Sequence, residues 1–103
     1  MNEWSETEIN EFLNEKGTGM IYFYTPFCGT CKMASKMLDI VEQLLPEMAA
    51  GKSNLNFLPQ IAEQFAVESV PCLIILREGQ LVEKVYAFRS VPFLHEKFKQ
   101  CIY

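Results

Sequence analysis

Met20-Ile-Tyr-Phe-Tyr-Thr-Pro-Phe-Cys28-Gly-Thr-Cys31-Lys-Met33 is the stretch on which the reading of this chain turns. Met20–Tyr24 is continuous apolar and aromatic, the pattern of a strand buried on both faces. Thr25-Pro26 ends it, because proline brings no amide hydrogen to a ladder and restricts the residue before it. Cys28-Gly29-Thr30-Cys31 follows, and a helical pattern begins at once. That order places Cys28 at a helix N-terminus, where unpaired amide hydrogens and the helix dipole favour a thiolate and lower the thiol pKa. Cys31 falls about one turn further in, within reach of a disulfide and less open to solvent. A reactive thiol beside a resolving thiol is what thiol–disulfide exchange requires.

Working outward, Ser5-Glu-Thr-Glu8 is a capping-box sequence, and Ile9, Phe12 and Leu13 continue it at helical spacing. Trp4 stands where a hydrophobic staple would pack on that helix. The helix after the cysteines is expected over Gly29–Met48, with Met33, Met37, Leu38, Val41, Leu44, Leu45 and Met48 as its core stripe. Gly51–Asn54 reads as a turn and Leu55–Leu58 as a short strand. Pro59 then suits the first turn of a brief helix to Ala66. Cys72–Arg77 is a strong strand, Glu78-Gly79-Gln80 a hairpin turn, Leu81–Phe88 the returning strand, and Val91-Pro92 the start of a last helix. The order α-β-α-β-α-β-β-α gives an α/β domain, a four-stranded mixed sheet with helices on both faces.

The 103 residues make one domain, 1–103, half of it apolar, without linker or repeat. A net charge of −4 argues against a nucleic-acid partner. The apolar runs are too short for a membrane span, and the N-terminal residues carry no signal-peptide pattern. The expected location is therefore cytoplasmic, where a Cys-x-x-Cys beside a βαβ pattern points to redox catalysis.

Phe27-Cys28-Gly29-Thr30-Cys31-Lys32-Met33, followed downstream by Ser69-Val70-Pro71 and Glu78-Gly79, resembles the thioredoxin family over nearly the whole chain. The resemblance implies a thioredoxin-like fold with an extra N-terminal helix and a protein-disulfide oxidoreductase with Cys28 as nucleophile and Cys31 resolving. It also implies that Phe27, Gly29, Thr30, Val70 and Pro71 meet the substrate, that Val70-Pro71 is cis, and that the backbone before the proline pairs with a bound polypeptide. Taken alone, the sequence shows at that point only a proline at the start of a strand, and X-Pro bonds are mostly trans. Protein disulfides are the implied substrates and a thioredoxin reductase or low-molecular-weight thiol the electron donor. No bound cofactor is required.

Several positions depart from the family pattern. Phe27 replaces the usual tryptophan, and Gly29-Thr30 replaces Gly-Pro, which implies a weaker reductant. Lys36 replaces a helix-kinking proline. Tyr22 stands where the family has a buried aspartate; a phenol with a pKa near 10 is a poor base at neutral pH and implies slow resolution. Cys72, directly after Pro71, opens three readings: a small strand residue, a third redox thiol, or a metal or iron–sulfur site shared with Cys28 and Cys31. A non-catalytic interaction module on the same fold is a further alternative. Cys101 and His95 read as ordinary residues of the last helix, and Lys32 as a solvated cation that could add positive potential beside the thiols.

Overall fold

A computed structural model describes residues 1–103. Five strands form one mixed sheet: β1 (Asn2–Glu3), β2 (Gly19–Tyr24), β3 (Ala49–Asn54), β4 (Cys72–Arg77) and β5 (Gln80–Val85), in the order β1-β3-β2-β4-β5. β1, β3 and β2 run parallel, while β4 and β5 are antiparallel to their neighbours. Helices α1 (Glu6–Asn14) and α3 (Pro59–Gln64) cover one face, and α2 (Gly29–Leu44) and α4 (Val91–Ile102) the other. The α/β architecture is as expected, but the sheet has five strands rather than four. The added edge, β1, is two residues long, too short to show any period in sequence.

β2 is the centre of the molecule. Met20 and Tyr22 pack under α2 and α4 together with Leu73 and Ile75, while Ile21 and Phe23 pack under α1 and α3 with Ile74 and Leu76. This two-sided burial is the physical reason for its unbroken apolar run. On α1 the capping box forms in full, with Glu8 N–H donating to Ser5 Oγ and Ser5 N–H to Glu8 Oε1. Such a cap contributes about 1 kcal/mol, whereas complete burial of one side chain the size of Ile9 contributes about 1.5–3 kcal/mol. Packing holds this helix and the cap sets where it starts. The Glu78-Gly79 turn has positive φ at both residues, 52° and 79°, the type I′ geometry that matches strand twist.

Two expectations shift around β3. The strand occupies Ala49–Asn54, where Gly51–Asn54 had read as a turn, and Leu55–Phe57 is a single 3-10 turn rather than a strand. Pairing on both sides, with β1 and β2, makes a strand of a segment that lacks β-branched residues. Gly51 is needed because the Trp4 indole lies on it: a Cβ there would come within 2.0 Å of the ring. Trp4 thus packs on Phe12, ring centroids 5.0 Å apart, and on β3 at Gly51. α2 ends at Leu44, before Met48, and its apolar stripe is narrower than expected. Met33 and Leu44 are exposed, while Ala34, Leu38 and Val41 enter the core.

Strand alternation sends Cys72 into the α1/α3 face, while Cys101 of α4 joins the opposite cluster; both are buried free thiols. Burial pushes Cys72 up to about 11, against weaker opposing effects of a Tyr86 hydrogen bond and the Lys84 charge. Burial also raises Cys101.

Gly51→Ala should lower stability by about 1–3 kcal/mol through overpacking against Trp4. The urea midpoint and the emission of this single tryptophan report it, and an unchanged midpoint would exclude the contact. Because the folded Cys72 thiol keeps its proton to higher pH than the unfolded one, its stabilising contribution is complete below pH 9.0 and is lost as pH rises toward about 11. Urea midpoints should fall across that window, more steeply for the wild type than for Cys72→Ala. Parallel slopes would remove Cys72 as the cause.

Candidate active site

The end of β2 and the start of α2 build the site. Thr25 and Pro26 stop the strand, Cys28 N–H turns back to the Thr25 carbonyl at 3.3 Å, and Cys28 becomes the N-cap residue of α2. Its side chain does what a serine or aspartate does at other helix starts: Sγ accepts the Cys31 N–H at 3.2 Å. Cys28 and Cys31 are joined as a disulfide, Cα atoms 5.2 Å apart. The two sulfurs differ in access, since Cys28 is partly exposed and Cys31 is 4% exposed. Only the outer residue of the pair can meet a macromolecule. In the reduced state the same amide and helix end favour a thiolate on Cys28, and the Thr30 hydroxyl, 3.5 Å from Cys28 Sγ, adds a third polar neighbour.

Around the pair, Phe27 is fully exposed, and Gly29 faces open space with nothing within 4 Å of a notional Cβ. On one side of the disulfide lies a recess of about 200 Å³ walled by Tyr24, Pro26, Lys32 and Ser35. An apolar groove of about 320 Å³ runs between Thr30, Met33 and Met37 of α2 and Pro71, Tyr86 and Phe88. Val70-Pro71 is cis, as the resemblance implied. Pro71 shares a groove with Thr30, while the half-buried Val70 packs toward the α1/α3 cluster. Of the residues singled out in sequence, Cys28, Cys31 and Lys32 meet at the recess, and Thr30 and Pro71 at the groove. His95 lines a different recess, with Leu45 and Tyr103.

Tyr22 stands behind the pair, wholly buried, and its hydroxyl donates to the Cys31 carbonyl at 2.8 Å. Burial raises its pKa, with a Ser35 hydrogen bond acting the other way. The phenol therefore holds the first turn of α2 against β2 and keeps its proton at neutral pH. Tyr24, two residues on and on the same face of β2, donates to Glu3 Oε1 and is pushed up to about 12, mainly by burial. Neither Tyr24 nor Tyr86 stood out in the sequence as a wall of the site. Alternation along β2 puts Tyr24 on the Tyr22 side, whereas the place of Tyr86 needs the register of β5.

The metal or cluster alternative fails on sheet geometry. Cys72 projects into the α1/α3 face, away from the α2 face where Cys31 is buried, and no group of three His, Cys, Asp or Glu side chains gathers to hold an ion. The disulfide pair stands without a third sulfur.

With this geometry in place, the comparisons with known proteins are specific. The thioredoxin family model matches residues 1–100. Thioredoxin-like protein YusE of Bacillus subtilis is 44% identical over 100 residues, covering 97% of this chain and 92% of that protein. The thioredoxin of Chlamydia caviae is 33% identical over 86 residues, 84% of this chain and 83% of its own. Among solved structures, oxidised mitochondrial thioredoxin 3 of Saccharomyces cerevisiae superposes with a TM-score of 0.84 at 25% identity, covering 97% of this chain and 94% of that one. The chain belongs to the thioredoxin family and is a protein-disulfide oxidoreductase.

Proposed function

We propose that the enzyme reduces disulfides in cytoplasmic polypeptides by a two-step exchange in which Cys28 attacks and Cys31 resolves. The observation that carries this reading is the asymmetry of the pair: Cys28 Sγ sits at the helix tip on the Cys31 amide, and Cys31 lies sealed behind it. In the first step the Cys28 thiolate attacks one sulfur of the substrate disulfide. That S–S bond breaks, a mixed disulfide forms, and the departing substrate thiolate takes a proton from solvent. In the second step the Cys31 sulfur, having lost its proton, attacks Cys28 Sγ. The second substrate thiol leaves, and the Cys28–Cys31 disulfide remains. Two electrons and two protons pass from dithiol to substrate, and a thioredoxin reductase or low-molecular-weight thiol restores them, which makes the protein a link in electron transport.

Substrate contacts in this reading come from Phe27, Gly29 and Thr30 on one side of the cleft and from Val70-Pro71 on the other. The exposed ring of Phe27 supplies apolar surface beside the reactive sulfur. The backbone of Val70 supplies an edge for an extended segment. Resolution is the slow step, because Tyr22 commits its hydroxyl to the Cys31 carbonyl and cannot take the Cys31 proton.

Insulin reduction should be catalysed by the wild type and abolished in Cys28→Ser, while Cys31→Ser should accumulate a mixed disulfide visible on non-reducing gels. Turnover surviving in Cys28→Ser would refute the assignment. For Tyr22→Phe, stopped-flow release of the second thiol should stay within about threefold of wild type, since a lost general base costs about 10²–10⁴ in rate. A hundredfold drop would make the phenol a participant in proton transfer.

A further inference from the structure

The segment between α3 and β4 leads into Val70-Pro71, and little of its own backbone holds it. Ala66 N–H and Val67 N–H bond back to the end of α3, at the Glu63 and Ala62 carbonyls. Beyond Val67, the only N–H before β4 that finds a partner is that of Glu68, and that partner is a side chain: Tyr86 Oη, at 3.1 Å. Three further contacts come from the same side. Lys84 Nζ donates to the Phe65 carbonyl at 3.0 Å and to the Ala66 carbonyl at 2.8 Å, and Tyr86 Oη lies 3.4 Å from the Ala66 carbonyl as a second donor. Lys84 lies on β5 and Tyr86 two residues on, on one side of the strand, with the ammonium 5.9 Å from the Tyr86 ring centroid.

The chemistry of this arrangement is specific. The last carbonyls of a helix lack partners within it and carry the negative end of its dipole, which favours a cation. Lys84 is that cation, and it bridges two successive carbonyls at a turn where Ala66 takes the left-handed φ of 51°. Tyr86 plays two parts, since its hydroxyl grips the turn while the residue forms a wall of the apolar groove opposite Thr30 and Met33. β5 is thereby connected to the groove through one polar junction.

We propose that Lys84 and Tyr86 tether the Phe65–Glu68 turn and so act as positioning residues for polypeptide disulfides, holding the Val70-Pro71 edge in place before substrate arrives. The proposal rests on the reading above in which the Val70 backbone receives an extended segment. An edge ordered beforehand spares the bound complex the conformational entropy of fixing it, and binding tightens accordingly. A small disulfide that touches only Cys28 gains nothing from that edge. The tether therefore acts on KM for polypeptides and leaves sulfur chemistry alone.

The experiment compares insulin with a small aromatic disulfide as substrates for the full chain. Lys84→Met keeps the aliphatic stem and removes the cation. KM for insulin should rise about tenfold with kcat unchanged, a change equivalent to about 1.4 kcal/mol in binding. The rate with the small disulfide and the Cys28–Cys31 reduction potential should match wild type, and Lys84→Arg should recover most of the KM. Amide exchange at Glu68 should quicken in Lys84→Met. If that variant melts near the assay temperature, Tyr86→Phe, which removes one oxygen atom, carries the test with the same rise in insulin KM. An unchanged KM in both variants, or an equal loss on both substrates, would overturn the tether. A wild type that reduces neither substrate would instead overturn the reading on which the tether rests.

Discussion

One hydrogen bond organises the chemistry of this protein: the Cys31 amide donating to Cys28 Sγ at the first turn of α2. It exists because β2, paired on both sides and buried on both faces, stops at Thr25-Pro26 and leaves the chain nowhere to go but into a helix. At that junction the reactive side chain takes over a capping role usually given to an oxygen. Placement of a reactive group beyond the carboxyl end of a central strand follows the general habit of open α/β sheets. Here the helix contributes more than position, because its unpaired amides are the counter-charge for a thiolate.

Four cysteines on one chain show how strongly surroundings decide thiol chemistry. Cys28 is half-open at a helix tip, and Cys31 is closed off one turn later. Cys72 is enclosed on the α1/α3 face of the sheet, and Cys101, on the last helix, is buried in the opposite cluster. Burial raises the last two above the ordinary thiol range, so the thiolate needed for exchange is scarce at neutral pH. Proximity in sequence to Pro71 gives Cys72 no part in the pair, because one step along a strand reverses the face a side chain meets. The same rule removes the three-sulfur site that the sequence left open.

Where the sequence spoke clearly, a local signal and the tertiary structure agreed. The run Met20–Tyr24, the proline that ends it, the capping box at Ser5 and the two-residue turn at Glu78-Gly79 each carry their cause within a few residues. β3 was illegible for the opposite reason. Ala49–Asn54 is a strand only because β1 and β2 flank it, and its glycine answers to Trp4, forty-seven positions away in the chain. The disulfide pair was likewise readable, while its surroundings were not. The bond from Tyr22 to the Cys31 carbonyl appears only when α2 lies across β2, and the contact of Lys84 with the end of α3 only when β5 passes beneath it. Met33 shows the limit of helical periodicity, since it falls on the edge of the stripe and faces the groove instead of the core.

The interactions around Cys28 Sγ also bear on the balance between its thiolate and disulfide forms. A sulfur that accepts an amide hydrogen bond and has a hydroxyl close by is stabilised as a thiolate more than as one half of a disulfide, since the charged form makes the stronger hydrogen bonds. Stabilising the reduced form makes the disulfide easier to reduce and the dithiol a weaker reductant. Thr30 contributes to this through its hydroxyl, which a proline at the same position would not have. Nucleophilicity and reducing power therefore pull against each other at one atom, and Thr30, exposed between the cysteines, bears on that balance. Tyr22 acts on the other half of the pair, holding the Cys31 backbone while leaving its sulfur without a base. In the exchange proposed above, this leaves the outer sulfur prepared for attack and the inner one slow to follow.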